Sequence, residues 1–218
     1  MKILIFDVET TGLLPKIIKN EDIDKYPYII QLSYILFDKD RNKIEEKFDN
    51  YIIIKRQIKI PKIVTDITGI RKEDCLNGIT IHTALNKIYN AMKNSDIIVA
   101  HNIEFDSRML LVELERNNIM LTETNSEVFK IVKEIENKNY CTMMNGRYLC
   151  NIKAISKGGK EYIKWPKLIE LYKKLFNGEV ENLHNSLIDT LVCLRCYLKM
   201  KENTEIEDSI FKRLLEDV

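Results

Sequence analysis

The sequence predicts one α/β domain in which a mixed β-sheet is covered by helices. The first half of the chain carries short apolar runs rich in β-branched residues, which are typical of buried strands. Helical stripes, with apolar residues three and four positions apart, alternate with the later strands. A chain of 218 residues has room for one sizeable hydrophobic core and little more.

Composition excludes several other classes of protein. Hydrophobic residues make up 45% and charged residues 31%, so the chain can bury a core and is not disordered as a whole. Its longest apolar runs are far below the roughly 18 residues that a membrane span needs, so we expect no membrane association. Five cysteines without an export signal favour reduced thiols. We therefore expect a cytoplasmic protein, or a nuclear one in a eukaryote, that is not secreted.

Four strands and three helical segments are predicted in the first half of the chain. Residues 2–8 are an apolar run that leads into a turn, and residues 28–38 and 48–54 are two further strand candidates. A polar turn between the second and third strands predicts an antiparallel meander. A helical turn, an amphipathic helix, a fourth strand and another helical stripe are then predicted at residues 61–67, 80–92, 96–100 and 105–114.

The second half reads as mostly helical. Residues 126–135 suggest a helix, residues 140–144 are ambiguous, and residues 145–164 are the least regular part. Later helices are expected from about 166 to 176, from 183 to 200 and within the acidic end. We expect a domain at 1–200, followed by an acidic C-terminal tail at 201–218 that can form a short helix.

Carboxylates occur at three separate places on apolar elements. Asp7 and Glu9 point to the same side of the first strand, Asp106 follows the fourth strand, and Asp189 lies inside the most apolar helix. Asp189 needs a partner, and His184 lies on the adjacent turn. Clustered carboxylates repel one another unless a multivalent cation neutralises them, and all-oxygen ligands suit Mg²⁺ or Mn²⁺. Solvated acids at a strand end are the alternative for the first pair.

These residues form three recognisable motifs. In chain order they resemble the three exonuclease motifs of the DnaQ-like, DEDDh 3′→5′ exonucleases: Phe6-Asp7-Val8-Glu9-Thr10-Thr11-Gly12, His101-Asn102-x-x-Phe105-Asp106 and His184-x-x-x-x-Asp189. The resemblance spans residues 2 to about 200. A histidine five residues before the last Asp is typical of the DEDDh branch, since the sister branch has a tyrosine at the position of Asn185. The resemblance implies an RNase H-like fold, a five-stranded mixed sheet flanked by helices.

The resemblance also implies a two-metal hydrolase. Asp7, Glu9, Asp106 and Asp189 would hold two ions of Mg²⁺ or Mn²⁺ about 3.5–4 Å apart, with Asp7 bridging both. His184 would act as general base, because the ordinary pKa of histidine suits that task. A core histidine with a hydrogen-bonded neighbour is the alternative for His184.

Substrate contacts follow from the same resemblance. The candidates for holding the 3′-terminal nucleotide are Thr10, Thr11, Gly12, Leu13, Asn102 and Phe105. Leu13 would pack on the last base. The alternatives are a simple strand terminator for the turn, a helix cap for Asn102 and a core aromatic for Phe105. The chain departs from the family pattern at Thr68, where a histidine is frequent, and at Cys141, where an Asp is frequent, so neither residue receives the family role.

The expected function is metal-dependent 3′→5′ exonuclease activity on single-stranded nucleic acid, with DNA proofreading or repair trimming as the first hypothesis. A 3′→5′ exoribonuclease or an oligonucleotide-degrading enzyme is the alternative. A non-catalytic nucleic-acid-binding module is disfavoured, because all four acids and the histidine are present. A proofreading role would need a polymerase or replication partner, for which the tail is one docking segment.

A lysine-rich stretch precedes the last motif. Residues 153–174 hold seven lysines and two glutamates. Such a stretch can track a phosphate backbone, and a solvated face is the alternative. Tyr162 and Trp165 lie beside these lysines and are candidates for stacking on bases, with packing under a loop as the alternative.

Overall fold

The computed structural model of the chain describes residues 1–15, 20–117, 134–180 and 183–216. The helix expected at 126–135 falls almost wholly on residues outside these ranges. Within the described ranges, no helix combines the length and the apolar character that crossing a bilayer requires.

A five-stranded sheet forms the centre of the molecule. Its strands are β1 (Lys2–Thr10), β2 (Ile29–Asp38), β3 (Lys43–Tyr51), β4 (Ile97–Ala100) and β5 (Asn139–Cys141), in the order β3-β2-β1-β4-β5. The first three strands pair antiparallel, which confirms the predicted meander. β4 runs parallel to β1, and β5 runs parallel to β4. The sheet is therefore mixed, as the sequence predicted.

Helices accompany the sheet, and residues 134–138 add a further short helical stretch to those with the bounds below. Those helices are α1 (Lys62–Thr68), α2 (Lys72–Leu76), α3 (Ile81–Lys93), α4 (Ile103–Arg116), α5 (Thr142–Cys150), α6 (Leu168–Phe176), α7 (Ser186–Tyr197) and α8 (Asp208–Glu216). A 3-10 helix (Asn20–Lys25) precedes β2, and a π-helical turn (Leu198–Glu202) follows α7. The α3 helix begins where predicted, because the Thr80 side chain accepts a hydrogen bond from the N–H of Thr83.

Two hydrophobic cores lie on opposite faces of the sheet. Leu4, Phe6 and Val8 face a core that α3 and α4 complete. The alternating residues Ile3 and Ile5 face a second core, which is built from α6, α7 and α8. Since a strand alternates between its faces, the residues that follow Ile5 at two-residue steps are directed toward α7.

The acidic end of the chain packs into the second core. Phe211 is 2% exposed in α8, and the guanidinium of the buried Arg195 lies 4.6 Å from its ring centroid. Arg195 also pairs with Asp208 and donates a hydrogen bond to the hydroxyl of Tyr172. The expected short helix is therefore present and shares the core of the preceding residues, while the division at residue 200 stays a prediction.

Two predictions from the sequence were wrong in their boundaries. The third strand was expected at 48–54, but β3 starts at Lys43 and ends at Tyr51, because this edge strand is mostly exposed and polar and lacks an apolar run. Residues 145–164 were expected to be the least regular part of the chain. They contain most of α5 and a hairpin formed by β6 (Lys153–Ile155) and β7 (Glu161–Ile163), whose turn contains Gly159 with φ 78°.

Candidate active site

The first part of the site lies at the carboxyl end of β1. Asp7 and Glu9 continue the row of Ile3 and Ile5, so their side chains face α7. Asp189 lies in the first turn of α7 and faces them in return. The predicted pairing of the first and third motifs is thus a direct result of strand alternation and of the packing of α7 on β1.

The backbone before α7 fixes the position of the third motif. The Asn185 side chain caps the helix by accepting hydrogen bonds from the N–H groups of Leu187 and Ile188 at 3.0 and 3.3 Å. His184 has a left-handed backbone with φ 74°, and its N–H donates to Oδ2 of Asp189 over 3.2 Å. The partner predicted for Asp189 is therefore the backbone of His184.

The histidine ring forms a cluster with two of the carboxylates. Glu9, His184 and Asp189 each offer a ligand atom, and these atoms lie within 4.8 Å of one another. His184 is exposed, so the alternative of a core histidine is wrong for this residue. The exposed ring lies beside two carboxylates, where it can contact both solvent and a bound ligand.

Asp106 reaches the same end of β1 from the opposite face of the sheet. It lies in the first turn of α4 and is 3% exposed. Its carboxylate accepts a hydrogen bond from the backbone N–H of Val8, and the charges of Asp7 and Glu9 act on it. The structure therefore brings together the four acids that the sequence predicted from three motifs.

Burial raises the pKa of all four carboxyl groups, and repulsion by neighbouring acids adds to the shift for Glu9, Asp106 and Asp189. Burial is the main cause for Asp7, whose pKa rises to about 6, although the Ser186 hydroxyl opposes the shift. Burial and then the charges of Asp7 and Asp189 raise the pKa of Glu9 to about 9. Burial, followed by the charge of Asp7, also raises the pKa values of Asp106 and Asp189. Without a counter-charge these groups resist ionising together.

The residues present fit a divalent cation. Oδ1 of Asp189 is buried and has no hydrogen-bond partner among the described residues, although a buried carboxylate oxygen is normally satisfied. A cation at this position would supply the missing partner and favour the ionised forms of the acids. Oxygen-rich ligand sets suit hard cations such as Mg²⁺ or Mn²⁺. The site can therefore hold a divalent metal ion.

Two polar residues that the sequence analysis did not identify support the third motif. The hydroxyl of Ser186 donates to the backbone carbonyl of Asp7 over 2.8 Å, and the N–H of Ser186 donates to Oε1 of Gln31 over 3.4 Å. Gln31 is buried opposite Glu9 in the β1–β2 register. A polar residue within the apolar run of β2 is the signal that could have identified it.

The turn after β1 uses its threonine hydroxyls within the protein. The hydroxyl of Thr10 donates to the carbonyl of Gly12 over 2.6 Å, and that of Thr11 accepts from the N–H of Tyr28 over 2.9 Å. Leu13 is 86% exposed. A cleft of about 450 Å³ adjoins the turn and is also lined by residues 24–28 and 57–59. The turn is thus held rigidly while its leucine projects into solvent.

The remaining candidates lie at the start of α4. Asn102 precedes the helix with φ 76°, and its side chain makes no capping bond within the described part of the chain. Phe105 packs, partly buried, against the first core. At the two departures from the family pattern, the hydroxyl of Thr68 donates to the carbonyl of Val64, and Cys141 is buried.

Part of the chain is similar in sequence to much longer curated proteins. The DNA polymerase III PolC-type of Mycoplasmopsis pulmonis is 33% identical over 120 residues, which are 55% of this chain and 7% of that protein. The protein of the same name in Mycoplasma genitalium is 34% identical over 117 residues, 53% of this chain and 7% of that protein. The chain thus spans only a small fraction of the length of these relatives.

Solved structures share the fold at low sequence identity. E. coli exonuclease I in complex with a dT13 oligonucleotide matches with a TM-score of 0.63 and 16% identity, over 93% of this chain and 42% of that chain. The nuclease domain of 3′hExo, a DEDDh family member bound to rAMP, matches with a TM-score of 0.58 and 16% identity, over 94% and 96%. The predicted RNase H-like fold is therefore confirmed.

The family follows from a match along most of the sequence. The model of the exonuclease family, RNase_T, matches residues 4–197, a range that contains all three motifs. This protein is therefore a nuclease and belongs to the exonuclease family, as its resemblance to the DnaQ-like, DEDDh enzymes predicted.

Proposed function

We propose that this exonuclease removes nucleotides in the 3′→5′ direction from single-stranded DNA. The observation that carries the proposal is the meeting of four carboxylates at the end of β1, next to the exposed ring of His184. The carboxyl groups of such a site ionise fully when cations neutralise their charges. Paired divalent ions also support the hydrolysis of a terminal phosphodiester.

We assign the metal ligands to Asp7, Glu9, Asp106 and Asp189, which would hold two ions of Mg²⁺ or Mn²⁺. When bound, these ions would stabilise charge on the scissile phosphate and lower the pKa of a water molecule. His184 takes the proton from the attacking water, because its ring is exposed beside Glu9 and Asp189. His184 has a left-handed backbone, and its side chain is exposed.

The terminal nucleotide is assigned to the turn after β1 and the start of α4. Leu13 projects into solvent and packs on the last base, while the internal hydrogen bonds of Thr10 and Thr11 keep the turn rigid. The space above Gly12 is open, since a Cβ there would meet no atom within 4 Å. Asn102 and Phe105 border the nucleotide from the side of α4.

DNA is the first choice of substrate because the similar curated proteins are named as DNA polymerases and exonuclease I was solved with dT13. RNA is the second candidate, since a solved neighbour, with a TM-score of 0.64 and 15% identity over 95% of this chain and 68% of that chain, is a 3′-exonuclease described as recognising a histone mRNA stem-loop. A proofreading role would require a polymerase or another replication partner.

A matched pair of substrates tests the proposal. A single-stranded DNA 20-mer and its RNA counterpart, each labelled at the 5′ end, are incubated with Mg²⁺ or Mn²⁺ and with EDTA. We expect a ladder of shortened labelled products that EDTA abolishes, formed faster from DNA. Immediate release of the label as a mononucleotide would contradict the direction, and equal or faster loss of RNA would contradict the substrate.

A further inference from the structure

Exposed aromatic and basic side chains cover one side of α5 and the segment after the β6-β7 hairpin. We call the surface formed by Met144, Arg147, Tyr148 and Trp165 the aromatic surface. Tyr148 is 72% exposed and Trp165 is 55% exposed, which is unusual for rings of this size. Met144 lies one helical turn before Tyr148, on the same face of α5. Adjacent exposed apolar groups of this kind mark interaction sites.

Arg147 contacts both rings. Its Nε donates to the backbone carbonyl of Ile163 over 2.8 Å, which joins α5 to the hairpin. Its guanidinium carbon lies 5.6 Å from the ring centroid of Tyr148 and 5.6 Å from that of Trp165. Both distances are within the range of cation–π interactions. The rings are therefore arranged before any ligand binds.

The aromatic surface begins near the carboxyl end of β4, on the side of the sheet where the active site lies. His101 directly follows β4, and its Nε2 donates to the backbone carbonyl of Pro166 over 3.1 Å. Its Nδ1 bonds to the hydroxyl of Thr142, the first residue of α5, over 3.0 Å. Trp165 is thereby held close to the start of α4, which carries Asp106. Tyr148 lies roughly 9 Å further along α5 than Thr142.

The charge around this surface is strongly positive. Residues 142–167 contain six lysines and arginines and one acidic residue, Glu161. Lys153, Lys157 and Lys160 are exposed on the hairpin, whereas Lys164 pairs with Glu170 at 2.6 Å. Aromatic rings interleaved with cations are the features with which proteins bind single-stranded nucleic acid, because rings stack on bases and cations attract phosphates.

We propose that the aromatic surface binds the single strand on the 5′ side of the nucleotide being removed, with bases stacked on Tyr148 and Trp165. The phosphates of this part of the strand lie near Arg147 and the lysines of the hairpin. The inference rests on the proposed function, because it places the strand by the position of its 3′ end. It explains how a short terminal site gains affinity for a long substrate.

Intrinsic fluorescence gives a direct test, because Trp165 is the one tryptophan in the chain. The protein is titrated in EDTA with oligothymidylate of 15 nucleotides and, separately, with a thymidine dinucleotide. We expect quenching by the 15-mer and little change with the dinucleotide, which reaches only the active site. Unchanged fluorescence at saturating 15-mer would overturn the proposal.

Variants test the affinity. In Tyr148→Ala/Trp165→Ala, the Kd for a labelled 15-mer should rise by about tenfold or more, since stacking on one aromatic ring contributes about 1–3 kcal/mol per base. The kcat/KM should fall much more for the 15-mer than for the dinucleotide. Leu76→Ala is the control, because Leu76 is also 55% exposed but lies in α2, which contacts β2, whereas α5 follows β5. Equal losses with both substrates, or a wild-type Kd, would overturn the inference.

Salt dependence provides an independent measurement. Replacing Lys153, Lys157 and Lys160 with Gln should reduce the log–log salt slope for the 15-mer by roughly 0.7 for each phosphate that a lysine no longer neutralises. An unchanged slope would assign these lysines to a solvated face and contradict their part in the proposal. Failure of the proposed function is recognised separately, as the absence of metal-dependent hydrolysis of either substrate by the wild-type protein.

Discussion

Replacing Asp7 with Asn should make the metal-free protein more stable while abolishing its activity. Burial raises the pKa of Asp7 to about 6 from the ordinary value of 3.8. A carboxyl group whose pKa is raised by folding stabilises the fold fully below its unfolded pKa, and this contribution is lost as the pH rises through the folded pKa. The wild-type protein in EDTA should therefore lose stability between about pH 4 and pH 6 through Asp7 alone.

The size of the change in stability follows from the pKa shift of Asp7. A difference of about two pKa units corresponds to roughly 3 kcal/mol of unfolding free energy at pH 8. Asp7→Asn removes this penalty and one of the charges that raise the pKa of Glu9. For a chain of this size, the melting temperature should rise by roughly 6–12 °C in EDTA at pH 8, with little change at pH 4.

Thermal unfolding followed by circular dichroism measures this effect. Asp38→Asn is the control of opposite sign, because backbone N–H groups of Arg41 and Asp40 lower the pKa of Asp38 and favour its charge. That variant should be less stable than the wild type at pH 8. If Asp7→Asn keeps the wild-type spectrum but melts at or below the wild-type temperature in EDTA at pH 8, carboxylate crowding does not govern this site.

Three further outcomes are expected. His184→Ala should slow turnover by about 10²–10⁴-fold while retaining metal binding, and the loss should shrink at high pH, where hydroxide replaces the base; wild-type turnover at pH 7 would reassign the residue. Gln31→Leu should lower kcat more than it raises KM, because the N–H of Ser186 loses its partner and α7 shifts. Ser33→Ala is the control, because it removes only a bond to Asp49. Equal kcat values for Gln31→Leu and Ser33→Ala would contradict a role of Gln31 in positioning α7. Mg²⁺ at one hundred times its Kd should raise the unfolding free energy by about 2.7 kcal/mol in the wild type and less in Asp189→Asn, as measured by urea unfolding.

The sequence predicted four strands of the central sheet and the four acids because both depend on local patterns, whereas the three-residue strand β5 fell in a stretch that was left ambiguous. Asp7 and Glu9 follow a recognisable strand, and Asp189 interrupts an apolar helix, so each stands out within its own segment. Gln31 and Ser186 were missed because their contact depends on the pairing of β1 with β2 and on the packing of α7, which join distant segments. Such long-range register cannot be obtained from one strand at a time.

The sequence analysis missed α5 and the β6-β7 hairpin for a different reason. α5 buries only Thr142 and Gly146, so it shows no apolar stripe in the sequence. The two strands of the β6-β7 hairpin have only three residues each, their apolar side chains are not part of a core, and a turn with two glycines separates them. Elements that are stabilised by few buried side chains leave a weak pattern, whatever their role in binding.

The acids of the active site come from both sides of the sheet, since Asp106 belongs to α4 on one face and Asp189 to α7 on the other. A bound cation would cross-link two layers that lie on opposite faces of the sheet. Amide hydrogen exchange in α4 and α7 should then slow together on adding metal, although the helices are about 80 residues apart in the chain. Metal loading and resistance to proteolysis would rise in parallel. The metal-free protein, which cannot hydrolyse nucleic acid, would be the form that proteases degrade most readily.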